Sequence, residues 1–279
     1  MAGYRDRTPA YSARVVVAAE PRRLMLRTAC VVPAYQAANS IAEVVRGIRA
    51  VCPTWTVIVV DDGSTDATHD EALSAGADVV LRHNANRGKG AALVTGFANA
   101  LQSRPAIDAV VTMDADGQHD SACLPALLEA LVAADLVLGA RRRRGTSMPL
   151  HRRLANAIST RAIAWCAGRP IRDAQCGFRA IRRGLLEQVP HLGDRYEAET
   201  GFVIRAARAG AIIAESEIPT RYGPPSHFRP LRDAARVIAT IWSHRPSRFN
   251  ACDSSAPTTT ASSPMVSTAW SAPRNRLGR

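Results

Sequence analysis

Twice in this chain a run of strand-forming residues ends directly in paired acids. Thr56–Val60 runs into Asp61-Asp62-Gly63, and Ala109–Met113 into Asp114-Ala115-Asp116. Apolar runs without polar alternation belong to strands buried on both faces, as in a parallel sheet covered by helices. The surrounding pattern agrees. Ala29–Val32 is a short apolar run closed by Pro33. Asn39 and Ser40 then offer helix caps, and Ile41, Val44, Val45 and Ile48 share one helical face. The spacing predicts a helix over Asp66–Ala75, a strand at Asp78–Leu81, a helix over Lys89–Leu101, a helix over Leu124–Ala133 and a strand at Leu136–Gly139. Strand–helix–strand succession of this kind predicts an α/β fold with a mostly parallel, Rossmann-like sheet. In such sheets ligands bind at the carboxyl ends of the strands, where both acidic clusters fall.

The second half is less regular and has the makings of a smaller, acceptor-side subdomain. Its expected elements are a helix over Leu150–Ala167, a strand at Phe178–Ile181, a helix over Glu199–Ala209, a strand at Ile212–Ile218 and a helix over Leu231–Trp242. Residues 1–26 and 245–279 are expected to be disordered tails, the second rich in Ser, Thr and Pro, leaving a folded unit over 27–244.

Composition narrows the class. The chain has 279 residues, 47% of them hydrophobic and 22% charged, which excludes wholesale disorder. The formal net charge is +12, nearly all from arginine, because Lys89 is the only lysine. An anionic partner is expected: nucleotide, nucleic acid or phospholipid surface. The six cysteines (Cys30, Cys52, Cys123, Cys166, Cys176 and Cys252) form no C-x-x-C pair, so neither a zinc site nor a disulfide framework is expected, and a reducing cytosol is. No apolar window approaches the ~18–20 residues of a membrane-spanning helix. Glu20, Pro21, Arg22 and Arg23 interrupt the Val15–Ala19 run, so no secretory signal is expected and the chain is read as cytoplasmic, soluble or peripheral on a membrane.

Four segments carry the chemistry. Asp114 and Asp116, two positions apart just past a strand end, can both reach one hard divalent cation, Mg²⁺ or Mn²⁺, leaving positions for substrate phosphates; Gln118 and His119 add polar groups beside them. A solvated acidic turn is the alternative. Asp61 can accept a base ring N–H, or it can belong to a turn in which Ser64 or Thr65 caps the next helix. Asn86-Arg87-Gly88-Lys89-Gly90 opens a helix with two glycines and two cations, which suits an anion, although it lacks Walker A spacing. Arg141–Arg144 follows a strand, and Arg141, nearest the ligand edge, is the candidate to meet phosphate.

These segments, read in order, resemble a known family. Val32-Pro33-Ala34-Tyr35, Val60-Asp61-Asp62-Gly63-Ser64-Thr65-Asp66, Asn86-Arg87-Gly88-Lys89-Gly90 and Met113-Asp114-Ala115-Asp116-Gly117-Gln118-His119 are similar to motifs of family 2 glycosyltransferases of the GT-A fold. Asp173-Ala174-Gln175-Cys176-Gly177-Phe178-Arg179 and Ile218-Pro219-Thr220-Arg221-Tyr222-Gly223 resemble the branch of dolichyl-phosphate mannose synthase and bacterial polyprenyl-phosphate sugar synthases. The resemblance covers about residues 28–242. It implies that Pro33, Ala34, Tyr35, Val59 and Asp61 line a nucleoside pocket. Asp114, Ala115 and Asp116 would serve nucleotide and metal, with Gln118 a companion ligand and Lys89 near the phosphates. Arg141 would face the diphosphate, Asp173, Gln175 and Arg179 the acceptor, and Arg221, Ser226 and His227 would lie in a loop that closes over substrates. Three positions depart from the family pattern. Gln36-Ala37 stands where Asn-Glu is common, Pro225 where a basic residue precedes the loop serine, and Gly201 where a helix motif has its second acid.

The implied reaction is an inverting transfer from a GDP- or UDP-linked sugar to a polyprenyl phosphate, with peripheral contact to an anionic membrane through Arg229, Arg232 and Arg236 beside Val237, Ile238, Ile241 and Trp242. A hydroxyl acceptor is the alternative and needs a general base, for which Asp173 and Glu199 are the candidates. A nucleic-acid-binding protein accounts for the charge but leaves both acidic strand ends unexplained.

Overall fold

The β-branched run after Pro53 forms β2 (Thr56–Asp61), which pairs in parallel with β1 (Thr28–Ala34) from Ala29↔Thr56 to Ala34↔Asp61. A computed structural model describes residues 26–141, 160–174, 176–189 and 196–219, all within the unit Met1–Arg245. The expected 1–26 tail (Leu26 apart), the 245–279 tail, the Leu231–Trp242 helix and most of the Leu150–Ala167 helix lie outside the described residues. So do Gln175, Arg221, Ser226 and His227.

Pro33 does not close the strand as the sequence predicts; β1 runs on through it to Ala34. The reason is the ladder. Met113 N donates to Val31 O and Asp62 N to Ala34 O, so odd-numbered residues of β1 turn their backbone groups toward β4 (Ala109–Thr112) and even-numbered ones toward β2. The β1–β4 register ends at Val31↔Thr112, and Pro33, which has no N–H, faces the side where no donor is needed.

Helix α1 (Ile41–Val51) links β1 to β2, and α2 (Thr68–Ser74) leads to β3 (Val79–Arg82). Then α3 (Lys89–Gln102) leads to β4, and α4 (Leu124–Ala130), flanked by 3-10 turns, to β5 (Leu136–Arg141). After a helical stretch over 160–167 (α5) come β6 (Arg179–Arg182), α6 (Arg183–Gln188), α7 (Tyr196–Arg208) and β7 (Ile213–Ile218). Among the described residues the sheet has seven strands in the order β3-β2-β1-β4-β6-β5-β7. All run parallel except β6, which is antiparallel to both neighbours, as in Val110↔Ile181 and Val137↔Ala180. The sequence gives no signal for that inversion, nor for α6. Chain order reverses at β1, with β2 to one side and β4 to the other, so the carboxyl ends of these strands form a switch-point crevice.

Alternate strand residues supply two cores. Ala29, Val31, Ile58 and Val60 join Leu93 and Phe97 of α3 and Phe202 of α7 on one face. Cys30, Val32, Val57 and Val59 join Ile41, Val44 and Ile48 of α1 and Leu124 and Leu127 of α4 on the other. Each fully buried aliphatic or aromatic side chain contributes about 1.5–3 kcal/mol relative to exposure, so the sheet is a rigid platform for groups at its carboxyl edge.

Candidate active site

The nucleoside side of the crevice is built by two loops laced together. Gln36, at φ 51°, donates from its backbone N to Ser64 Oγ (2.9 Å) and from Nε2 to Thr65 Oγ1 (2.8 Å). Ala37 N donates to Thr68 Oγ1 (2.8 Å) and Ala38 N to Asp66 Oδ2 (3.1 Å). The helix-capping role expected of Ser64 or Thr65 falls instead to Asp66, whose Oδ1 accepts Thr68 N, because those hydroxyls are held by Gln36. Tyr35 is exposed at the crevice mouth, beside Asp61, which is wholly buried. Asp61 Oδ1 accepts Ser64 N (2.9 Å), while Oδ2 lies 3.2 Å from Arg82 Nε without a hydrogen bond. Gly63, at φ 74°, is required between them, since a Cβ there would stand 2.5 Å from the Ala85 carbonyl carbon. The side chains of Val59 and Ala34 are buried in the core shared with α1 and α4.

The start of α3 already has its anion. Arg87 N and Gly88 N donate to the two oxygens of buried Asp62 (2.9 and 2.7 Å), and Asp62 Oδ1 also meets His83 Nδ1 at 2.7 Å. The phosphate role expected of these amides is therefore taken by a carboxylate of the protein. His83 was not anticipated, although it stands at the end of β3 as Asp61 does at the end of β2.

Lys89 follows at once and turns inward. Its Nζ lies 2.6 Å from Asp114 Oδ1 and 3.0 Å from Glu199 Oε2 on α7. His119 Nε2 lies 3.3 Å from Asp114 Oδ2, and its ring stacks on Phe178. Burial pushes the Asp114 carboxyl up, but the Lys89 and His119 charges outweigh it and hold the group well below the usual carboxylate range. Burial likewise lowers Lys89, and the two carboxylates more than reverse it, keeping the ammonium charged well above its ordinary range. Asp116 is different: it is exposed, accepts Gln118 N at Oδ1 (3.0 Å), and has its pKa raised by lost hydration and by the Asp114 charge. Buried Ala115 is tied by its carbonyl to Ser40 Oγ (2.6 Å), so Ser40 fixes the acidic turn instead of capping α1.

On the far side Arg141, at the end of β5, grips Asp173 in a fork, Nε to Oδ2 at 2.6 Å and Nη2 to Oδ1 at 3.1 Å. Arg179 is buried and donates to the carbonyls of Ala174, Cys176 and Glu199. It clasps the acceptor-side segment from within and is not presented to a ligand. Antiparallel β6 brings that segment to the same edge as Asp114, where Gly177 O accepts Thr112 Oγ1 (2.6 Å). Among the described residues no three His, Cys, Asp or Glu side chains converge on one metal position.

The comparisons agree with this geometry. A model of the family described as "Glycosyl transferase family 2" matches residues 29–189. An undecaprenyl-phosphate mannosyltransferase of Micrococcus luteus is 32% identical over 205 residues, covering 69% of this chain and 83% of the relative. A polyprenol monophosphomannose synthase of Mycolicibacterium smegmatis is 34% identical over 172 residues, 58% of this chain and 64% of that one. Among solved structures, glucosyl-3-phosphoglycerate synthase from Mycobacterium tuberculosis, in complex with Mn²⁺, UDP and glucosyl-3-phosphoglycerate, superposes with a TM-score of 0.62 at 26% identity, covering 80% of this chain and 82% of that one. With both acidic strand ends at the switch point of a GT-A sheet and the family model spanning more than half its length, the chain belongs to glycosyl transferase family 2.

Proposed function

We propose that this glycosyltransferase moves a sugar from a nucleoside diphosphate sugar to a polyprenyl phosphate, with inversion at the anomeric carbon. One observation carries the choice of acceptor. Both acids placed to act as a general base toward a hydroxyl are engaged by cations: Asp173 by the Arg141 fork, Glu199 by Lys89 and by Arg179 at 3.9 Å. A phosphate acceptor is ionised at neutral pH and needs no base, whereas a hydroxyl does. The names of the mannosyltransferase and monophosphomannose synthase relatives point the same way.

In this reading Asp61 accepts a base N–H and Tyr35 covers the nucleoside. Asp116, with Asp114 and Gln118 beside it, holds Mg²⁺ or Mn²⁺. Bound there, the cation would neutralise charge on the departing diphosphate. Two carboxylates two positions apart just past the end of β4, Asp114 and Asp116, are the fit for it. Arg141, half-exposed at the same edge, meets the phosphates. An acceptor phosphate oxygen bonds to the anomeric carbon as its bond to the diphosphate breaks, and the electron pair leaves with the nucleoside diphosphate. Gln175, Arg221, Ser226 and His227 are assigned to the acceptor and closing loop on the family resemblance. No helix among the described residues is long and apolar enough to cross a membrane; contact with lipid is proposed to be peripheral, at the cytoplasmic face, through Arg229, Arg232 and Arg236, which lie outside the described residues.

The test is nucleoside diphosphate release across GDP- and UDP-sugars, with Mg²⁺ or Mn²⁺, with and without a polyprenyl phosphate. Lipid-dependent release that disappears in Asp116→Asn is the expected result. Release indifferent to lipid but raised by a hydroxyl acceptor such as 3-phosphoglycerate would transfer the assignment to that acceptor class. No release with any donor would sink the reading.

A further inference from the structure

Lys89, the one lysine of the chain, is spent inside the protein. Its ammonium sits between Asp114 of the acidic turn and Glu199 of α7, with side chains 18%, 24% and 7% exposed respectively. The space for this contact is reserved. A Cβ on Gly177 would stand 2.5 Å from Asp114 Oδ1 and 2.6 Å from Lys89 Nζ, so a larger residue there would have to displace these side-chain ends. Glu199 is braced in turn by Arg179, which takes its carbonyl at 2.9 Å and stands 3.9 Å from Oε1. The cluster thus joins the donor half, through α3 and the β4 end, to the half that carries α7.

We infer that Lys89 is a resident counter-cation of the acidic turn, and that Glu199 is a positioning residue that offers the ammonium a second seat. This rests on the reading of Asp114 and Asp116 as a divalent-cation site. Without that cation, Lys89 neutralises Asp114 and keeps its carboxylate aimed into the crevice. When a divalent cation arrives beside Asp114, the ammonium repels it, and Glu199 relieves the conflict by taking more of the Lys89 charge. Like charges a few ångströms apart in a poorly hydrated site interact strongly, so neutralising either partner should move metal affinity, and in opposite senses. Removing the ammonium deletes the competitor; removing the Glu199 charge leaves more of the ammonium's charge to Asp114. A role confined to packing would shift both variants the same way.

The experiment is a Mn²⁺ titration of the purified protein, following free Mn²⁺ by electron paramagnetic resonance, on wild type, Lys89→Met, Lys89→Arg and Glu199→Gln, each shown to be folded by its melting curve. Expected are tighter Mn²⁺ binding in Lys89→Met and weaker binding in Glu199→Gln, each by roughly threefold or more, with Lys89→Arg near wild type. Shifts of one sign in both neutral variants, or none in either, overturn the inference while leaving the metal site standing. If Lys89→Met does not fold, Glu199→Gln decides alone, and unchanged or tighter binding there is fatal. Absence of Mn²⁺ binding from wild type and Lys89→Met alike would remove the metal reading and this inference together.

Discussion

Asp66 ties two loops with one carboxylate: Oδ2 accepts Ala38 N, and Oδ1 accepts the Thr68 amide and hydroxyl. Partial burial pushes this carboxyl up, but the donors from Thr68 and Ala38 outweigh it and hold the group below its ordinary value. Its stabilisation is therefore present above the pH at which an unfolded aspartate titrates, and is lost as pH falls through the depressed native value. Because Asp66 is exposed, the loss in Asp66→Asn should be at the low end of capping effects, about 0.5–1 kcal/mol at neutral pH. Melting curves of the two proteins from pH 7 down to pH 3 should converge at the acid end; a constant gap would show that charge is not the cause. At this scale the acids were legible and their partners were not. Asp61, Asp114 and Asp116 announce themselves by standing at strand ends. That Asp62 would cap α3, or that Lys89 would reach Glu199, depends on distances across the fold that no local spacing encodes.

Among elements, α3 lies close against the sheet. A Cβ on Gly96 would stand 2.3 Å from Val31 Cγ1 and 3.3 Å from Val60 Cγ2, so glycine here sets the distance between α3 and the two strands that carry the crevice. Gly96→Leu overpacks this contact, and a loss of about 1–3 kcal/mol is expected, read as a lower melting temperature; an unchanged melt would mean that α3 can ride outward at no cost. Periodicity found β2 and α3 to within a residue or two, and the buried face of α1, because their apolar faces are complete. It missed the inverted direction of β6, because pattern reports burial and carries no arrow. It also stopped β1 at Pro33, because the exemption there comes from the neighbouring strand's end.

For the whole molecule, the alternation of strands and helices was enough to anticipate the sheet and the edge that bears the site, since the crossover rules leave few other ways to wind such a chain. The acceptor side was less legible, for its segment returns through an antiparallel strand and is held by a buried arginine whose partners are carbonyls. The single lysine also sets how the molecule answers to reagents. An amine attacks an activated ester only when unprotonated, and Lys89 is kept as an ammonium between two carboxylates. Folded protein treated with an N-hydroxysuccinimide dye should therefore carry label only at its α-amino group, by intact mass. A second label should appear only as denaturant opens the fold, so that its rate of uptake times the exposure of the donor crevice without any engineered probe; prompt double labelling of the native protein would contradict the burial of this charge.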